Sequence, residues 1–386
     1  MISALSIRQQ FIDRFGVAPR VFRAPGRVNI IGEHTDYNMG FVLPAAIDKA
    51  AWLAIAPAEG PSCTWVSVDF NEEEELRLDG PIEKVHRHWA NYILGIVREF
   101  RSLDHPVPAF HALIEADVPI GSGLSSSAAL QSAAAFALNE WLGTGLSRKE
   151  LALLVQRAEN GFIGLQCGIM DMFTSLHGKE GHALRLDCRS LEYALFPIDL
   201  AGHRIILFDT GVKHSLASSE YNTRRRECEA GVGIIARRYP TMQSLRDVTP
   251  EMLEEHKDDM AEVVHRRCRF VIEENTRVFE TCAAMTAGDL ERVGELMRAS
   301  HRGLRDDYEV SCPELDLLAA WADEEPGVLG ARMMGGGFGG CTINIVREAF
   351  VEEVVEKFRK RYLEGTGIAL DHYDLVTGNG ASEEQA

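Results

Sequence analysis

The sequence predicts an α+β fold, and three observations carry that expectation. Short runs of strand character occur in both halves of the chain. Long helical patterns lie beside them, densest from 214 to 300, where the chain is richly charged. The two kinds do not alternate as a regular strand–helix–strand series. Taken in order, residues 7–15 carry a helical pattern, and "FVLPAAIDKAAWLAIA" (41–56) reads as strands around a turn. "FHALIEADV" (110–118) alternates like a half-buried strand. "SAALQSAAAFALNEWLG" is a helix that Gly143 ends, and "SRKELALLVQRAENGF" opens with a capping box of Ser147 and Glu150. "ALRLDC" and "HRIILFDTG" are strand-like, "CTINIV" (341–346) is a short apolar strand, and 348–363 form a final amphipathic helix. The closing "GNGASEEQA" reads as a frayed end. "PIDLAGH" interrupts the pattern near 195–203, which divides the chain into domains of 1–200 and 201–386.

Composition excludes several classes. The chain has 386 residues, 46% of them hydrophobic, and a formal net charge of −18. That charge opposes binding to nucleic acid or to anionic membranes, although a local field can still hold an anionic substrate. No run approaches the length of a membrane-spanning helix. The first residues carry early charges and lack a signal-peptide apolar region. The eight cysteines form no CxxC pair, which suits reduced, buried thiols and a cytoplasmic protein. The thirteen histidines show no ligand spacing, and no HExxH occurs.

Three motifs carry chemistry. "PIGSGLSSSAAL" (119–130) places glycines and serines directly before a helix. Glycine lets backbone N–H groups converge on an anion, and a helix start adds unpaired donors and partial positive charge. Such a loop cradles phosphates without a P-loop lysine, and its hydroxyls can ligate Mg²⁺. The competing reading is a flexible turn before a serine-capped helix. "RAPGRVNIIGEHTDYNMG" packs Arg27, Asn29, Glu33, His34, Asp36, Tyr37 and Asn38 between glycines. Planar groups and carboxylates of this kind recognise sugar hydroxyls, and a solvated loop is the alternative. "GGGFGG" (335–340) matches GxGxxG, but the strand-like run follows it, so it is read as a second phosphate- or substrate-approaching loop or a tight hairpin. "RRRE" (224–227) reads as a solvated, salt-bridged helix face. Lys213 is a candidate to approach a transferred phosphate, or simply a surface lysine.

The order of "APGRVNIIGEHTDYNMGFVLP", "PIGSGLSSSAAL" and "ARMMGGGFGGCTINIV" resembles that of the GHMP small-molecule kinases. The first motif, with "WANYILG", "CGIMDMF", "LDCRSLEY", "HSLASSEYNTRRRECE" and "SHRGLRDDYEVSCPELD", narrows the resemblance to the galactokinases, from about residue 20 to 380. The resemblance implies a ribosomal S5 domain 2-like N-terminal domain and a ferredoxin-like C-terminal domain, with the site between them. It implies transfer of phosphate from ATP, with Mg²⁺, to the anomeric hydroxyl of α-D-galactose, the first committed step of the Leloir pathway. Carried over by position, Arg27 and Asp171 match the catalytic pair. Glu33, His34, Asp36, Gly168 and Tyr221 match sugar contacts. Gly121, Ser122, Gly123, Leu124, Ser125, Ser126 and Ser127 match the phosphate cradle. Ser127 and Glu159 match the Mg²⁺ contacts, and Trp89 the adenine pocket, where the competing reading is a core aromatic. Asp171 is expected to accept the hydroxyl proton, with orientation of the hydroxyl as the rival role. The chain departs from the family at Gln166, Met172 and Met334, which leaves the sugar range open. The rivals are another GHMP sugar kinase, acting on N-acetylgalactosamine or arabinose, and a non-catalytic galactose sensor. Retention of Ser125–Ala128 with Arg27 and Asp171 favours the active enzyme, and a monomer is expected.

Overall fold

The computed structural model describes residues 2–213 and 217–385, and its strands fall into three sheets joined by helices. Helix α1 (Ala4–Phe15) precedes β1 (Arg20–Asn29), β2 (Phe41–Val42), β3 (Pro44–Pro57), β4 (Ser62–Ser67) and β5 (Glu72–Arg77). Next come α2 (His88–Ser102), β6 (Phe110–Ala116), α3 (Ser126–Leu142), α4 (Arg148–Ala158) and α5 (Met170–His177). The chain continues through β7 (His182–Asp187), β8 (Tyr193–Pro197), β9 (His203–Lys213), α6 (Ala217–Ile235), α7 (Pro250–Glu255), α8 (Glu262–Ala287), α9 (Leu290–Arg302) and α10 (Pro313–Glu324). It ends with β10 (Val328–Met333), β11 (Gly339–Arg347), α11 (Val351–Thr366), β12 (Asp371–Asp374) and β13 (Ser382–Glu384).

The largest sheet has the order β13-β1-β3-β6-β4-β5, antiparallel except for the β4–β6 pair. Helices α2–α5 pack on it over a core that includes Phe22, Trp65, Ile93, Phe110, Leu138 and Phe173. The second sheet runs β10-β11-β9-β12 and buries Phe208, Val346 and Phe358 against α10 and α11. A small sheet joins β2, which lies between β1 and β3 in sequence, to β7 and β8. The observed α+β class agrees with the sequence, and so does the Ser147–Glu150 capping box, which forms in full.

Two expectations change. The closing residues are not frayed: β13 pairs antiparallel with β1, Ala381 is buried, and the Ala381 N–H donates to the Ser175 carbonyl at 2.9 Å. Nor is "RRRE" wholly solvated. Arg224 is buried, because its guanidinium donates to the carbonyls of Tyr308 (2.7 Å) and Glu309 (2.8 Å). Arg225 does pair with Glu229 at the surface.

Candidate active site

A cavity of about 730 Å³ opens where the first sheet, the start of α3 and the β10–β11 turn converge. All of the predicted site residues line it except Ser122 and Glu159.

Arg27 sits on β1 just past a register shift at Pro25, so strand and irregularity together aim it inward. Its Nε donates to Asp171 Oδ1 at 2.8 Å and its Nη1 to the Gly123 carbonyl at 2.5 Å. Arg27 is 4% exposed. Burial alone would lower its pKa, but the carboxylates of Asp171, Glu33 and Asp36 outweigh burial and hold it above the ordinary value. Asp171 lies in the first turn of α5, and Ser125 Oγ donates to its Oδ2 at 2.5 Å. Both carboxylate oxygens therefore have a fixed partner.

The loop before α3 has positive φ at alternate positions, Gly121 (85°), Gly123 (76°) and Ser125 (62°). Alternation of this kind turns successive N–H groups toward one concave side. Ser125 stands at the N-cap of α3 but does not cap it, because its hydroxyl is committed to Asp171. The first-turn donors of a 17-residue helix are left without a side-chain cap beside the cavity. That is the geometry of an anion site. Ser122 points elsewhere: its hydroxyl donates to Asp209 Oδ2 on β9 and ties the loop to the second sheet. The β10–β11 turn presses on the same loop, so that a Cβ added at Gly335 would stand 3.3 Å from Gly123 Cα. "GGGFGG" is thus a hairpin turn that also reaches the cavity, through Gly335, Gly336 and Gly337.

The polar cluster follows β1. Glu33 is 2% exposed and its Oε1 accepts from the Gly335 N–H (2.8 Å) and from both terminal nitrogens of Arg332 (3.1 Å each). His34 takes a left-handed backbone, φ 62°, and burial pushes its pKa down to about 3, so the ring is neutral. Asp36 is buried and its pKa is pushed up to about 6, first by burial and then by Asp171. Its carboxylate occupies the space where a side chain at Gly168 would be, since an added Cβ would lie 1.9 Å from Oδ2. Tyr221 of α6 lies over the cluster, its ring 5.4 Å from His34 and 5.3 Å from Tyr37.

At the far end Trp89 is buried, lines the cavity, and donates from Nε1 to Glu72 at 2.8 Å. Phe70, His86, Arg87, His88 and Tyr92 share that wall. Sequence reasoning missed these: Phe70, His86 and Arg87 lie in irregular stretches, and Tyr92, although inside "WANYILG", carries no mark of its own as a wall residue. Arg332 was missed as well, since nothing in a strand run marks a fully buried arginine that holds Glu33 and the Asn29 and Ile30 carbonyls. The three departures, Gln166, Met172 and Met334, are not among the cavity-lining residues.

Glu159 is 4% exposed and stands behind Gln131, whose Nε2 donates to it. Burial pushes its pKa up to about 7. Gln131 also contacts the Ser127 carbonyl at 3.4 Å, linking the two candidate Mg²⁺ contacts. Among the described residues no group of three or more His, Cys, Asp or Glu is placed to hold a metal. A hydroxyl and a carboxylate still suit Mg²⁺, which takes most of its shell from phosphates and water. The side chain of Lys213 lies outside the described residues, and nothing is concluded from it.

Family models match at three places: the galactokinase galactose-binding signature over residues 9–57, the GHMP kinase N-terminal domain over 91–179 and the GHMP kinase C-terminal domain over 281–364. The chain is 41% identical to galactokinase of Roseiflexus sp. (strain RS-1), covering 98% of this chain and 97% of the relative. It is 40% identical to galactokinase of Bos taurus, covering 92% and 91%. The crystal structure of Lactococcus lactis galactokinase complexed with galactose superposes with a TM-score of 0.94 at 34% identity, covering 99% of this chain and 100% of that one. Methanococcus jannaschii mevalonate kinase, at 19% identity and TM-score 0.65, shares the fold. With both halves of the chain matched and near-complete coverage of such relatives, the chain belongs to the galactokinase family of GHMP kinases.

Proposed function

We propose that this cavity is where the chain transfers the terminal phosphoryl group of ATP to the anomeric hydroxyl of α-D-galactose, with Arg27 and Asp171 as the catalytic pair. The observation that carries the reading is the double fixing of Asp171, by Arg27 on the sugar-side strand and by Ser125 of the phosphate loop. The carboxylate thereby stands where acceptor and donor substrates would meet. Glu33, His34, Asp36, Gly168 and Tyr221 hold the sugar. Gly121 and Gly123–Ser127 receive the phosphates, and Trp89 flanks the adenine. Ser122 supports the loop from behind.

Phosphoryl transfer asks chiefly for alignment and for neutralising charge on the moving group. Asp171 accepts the hydrogen bond of the attacking hydroxyl and takes its proton as the new oxygen–phosphorus bond forms, while the bond from the terminal phosphorus to its bridging oxygen breaks and ADP leaves with that oxygen. Arg27 keeps the carboxylate oriented and faces the negative charge. Ser127 and Glu159 would hold Mg²⁺, which supplies charge neutralisation to the phosphates. Asp171→Asn keeps the shape and removes the proton acceptor. Its kcat is expected to fall by about 10²–10⁴ with both KM values little changed. Turnover near wild type in an enzyme that still binds both substrates would overturn the role.

A panel of galactose, glucose, N-acetylgalactosamine and arabinose, read as kcat/KM, tests the sugar. Galactose is expected to lead glucose by on the order of 10⁴, because the wrong epimer leaves a buried polar group unpaired. We place the enzyme in the cytoplasm as a monomer, the compartment being favoured by eight free cysteines, seven of them buried. No helix among the described residues is long and apolar enough to cross a membrane.

A further inference from the structure

A chain of hydrogen bonds runs from the sugar side of the cavity to Cys228 on α6. His34 Nδ1 meets the Tyr37 hydroxyl at 2.9 Å, Tyr37 meets the Tyr308 hydroxyl at 2.7 Å, and Tyr308 meets Cys228 Sγ at 3.2 Å. Tyr37, Tyr308 and Cys228 are all buried, and no step of the proposed mechanism uses them. The other ring nitrogen, His34 Nε2, is buried without a protein partner, and His34 lines the cavity.

Acidity decides which way the chain runs. A phenol is a much better proton donor than a neutral imidazole N–H, and an imidazole nitrogen is a much better acceptor than a phenol oxygen. Tyr37 therefore donates to Nδ1, Tyr308 donates to Tyr37, and the Cys228 thiol donates to Tyr308. Burial keeps both phenols and the thiol protonated. The charged groups facing this chain agree. Arg224 and Arg332 oppose a second proton on the ring. Glu33, Asp36 and Asp171 in the same cavity wall supply acceptors, and a donor on His34 complements them.

We infer that Tyr37, Tyr308 and Cys228 are positioning residues that lock His34 as the neutral tautomer with its proton on Nε2, making it a hydrogen-bond donor to one sugar hydroxyl. This rests on the reading of His34 as a sugar contact. The consequence for specificity is direct: the hydroxyl that meets His34 must accept there, and is free to donate to a carboxylate.

The test uses full-length enzyme labelled with ¹⁵N-histidine, whose ring-nitrogen shifts report the tautomer. Wild type is expected to show Nδ1 bare and Nε2 protonated. In Tyr37→Phe the bare nitrogen loses its donor, so the spectrum moves to mixed tautomers. KM for galactose is then expected to rise about tenfold, while kcat and KM for ATP move less than about twofold. Tyr308→Phe gives a weaker version of the same pattern and guards against a folding defect in Tyr37→Phe. His34→Gln, which places an amide donor near the Nε2 position, should retain more galactose affinity than His34→Ala. A wild-type spectrum with Nδ1 protonated overturns the inference, as does an unaltered spectrum in both tyrosine variants. If His34→Ala leaves KM for galactose unchanged, the sugar-contact reading fails instead.

Discussion

Asp36 and Gly168 work as one unit, because the carboxylate fills the space that any other residue at 168 would need. Gly168→Ala puts a methyl group inside contact distance of Asp36, and the acid must move off its site. KM for galactose is expected to rise by more than about tenfold, with KM for ATP less affected; steady-state kinetics with each substrate varied decide it. Asp36 also sets a pH dependence. Below about pH 3.8 it is protonated in both folded and unfolded chains, so its burial is then not penalised. As pH rises toward 6 the unfolded chain ionises first, and stability falls. Above about 6 the full penalty is present, roughly 3 kcal/mol from a folded pKa of about 6. Relative to Asp36→Asn, wild type should therefore lose about 1 kcal/mol between pH 5 and pH 7 in denaturant titrations. The pairwise comparison matters because His34, with its lowered pKa, acts in the opposite direction and loses stability as pH falls below 6.5. Galactose affinity should move the other way from stability, tightening through pH 6 as Asp36 becomes an anionic acceptor.

At the scale of elements, the glycine-serine loop and α3 separate two kinds of serine. Ser122 is bonded to Asp209 behind the loop, whereas Ser127 faces the cavity. Ser127→Ala should raise KM for ATP and the Mg²⁺ concentration needed for half-maximal rate together. Ser122→Ala should raise KM for ATP by a few-fold with an unaltered Mg²⁺ requirement, since only the loop's support is lost. Magnesium titrations at fixed ATP separate the two, and equal behaviour would count against the division. This difference was invisible in "GSGLSSS", where each serine reads alike. What the sequence did reveal is the loop, its helix, the cluster from Glu33 to Asp36 and the capping box of α4, because each depends on local backbone chemistry. Long-range geometry stayed hidden. β1 is buried over most of its length and shifts register at Pro25, so its pattern does not alternate. β5 is an edge strand rich in glutamate, and nothing in "EEEELR" suggests a strand. Arg224 looked solvated because, besides Glu220 and Glu227 on its own helix, its partners are backbone carbonyls more than eighty residues away.

For the whole molecule, the site depends on the first sheet being closed by the last residues of the chain. The boundary proposed at 200/201 leaves out this return. β13 covers the edge of β1, the strand that carries Arg27. The tail also grips α5, which carries Asp171: Ala381 bonds to the Ser175 carbonyl and Gly380 to the Gly178 carbonyl, at 2.9 and 2.8 Å. Arg148 of α4 donates to the Ala381 carbonyl at 2.8 Å, and Glu383 pairs with Arg20 at 2.7 Å. The surface ion pair contributes little, while the buried backbone bonds each contribute about 0.5–1.5 kcal/mol. Truncation after Leu375 removes all of these and exposes β1 as a new edge. It should lower Tm by several degrees and reduce kcat more than either KM, because the Arg27–Asp171 pair loses support from both of its elements. Glu383→Ala alone should leave Tm within about a degree, since it removes only the exposed pair. Calorimetry of the two variants beside wild type, with kinetics at a temperature where all are folded, decides the matter. A truncated enzyme with wild-type kcat would mean that β1 and α5 hold the Arg27–Asp171 pair without the tail.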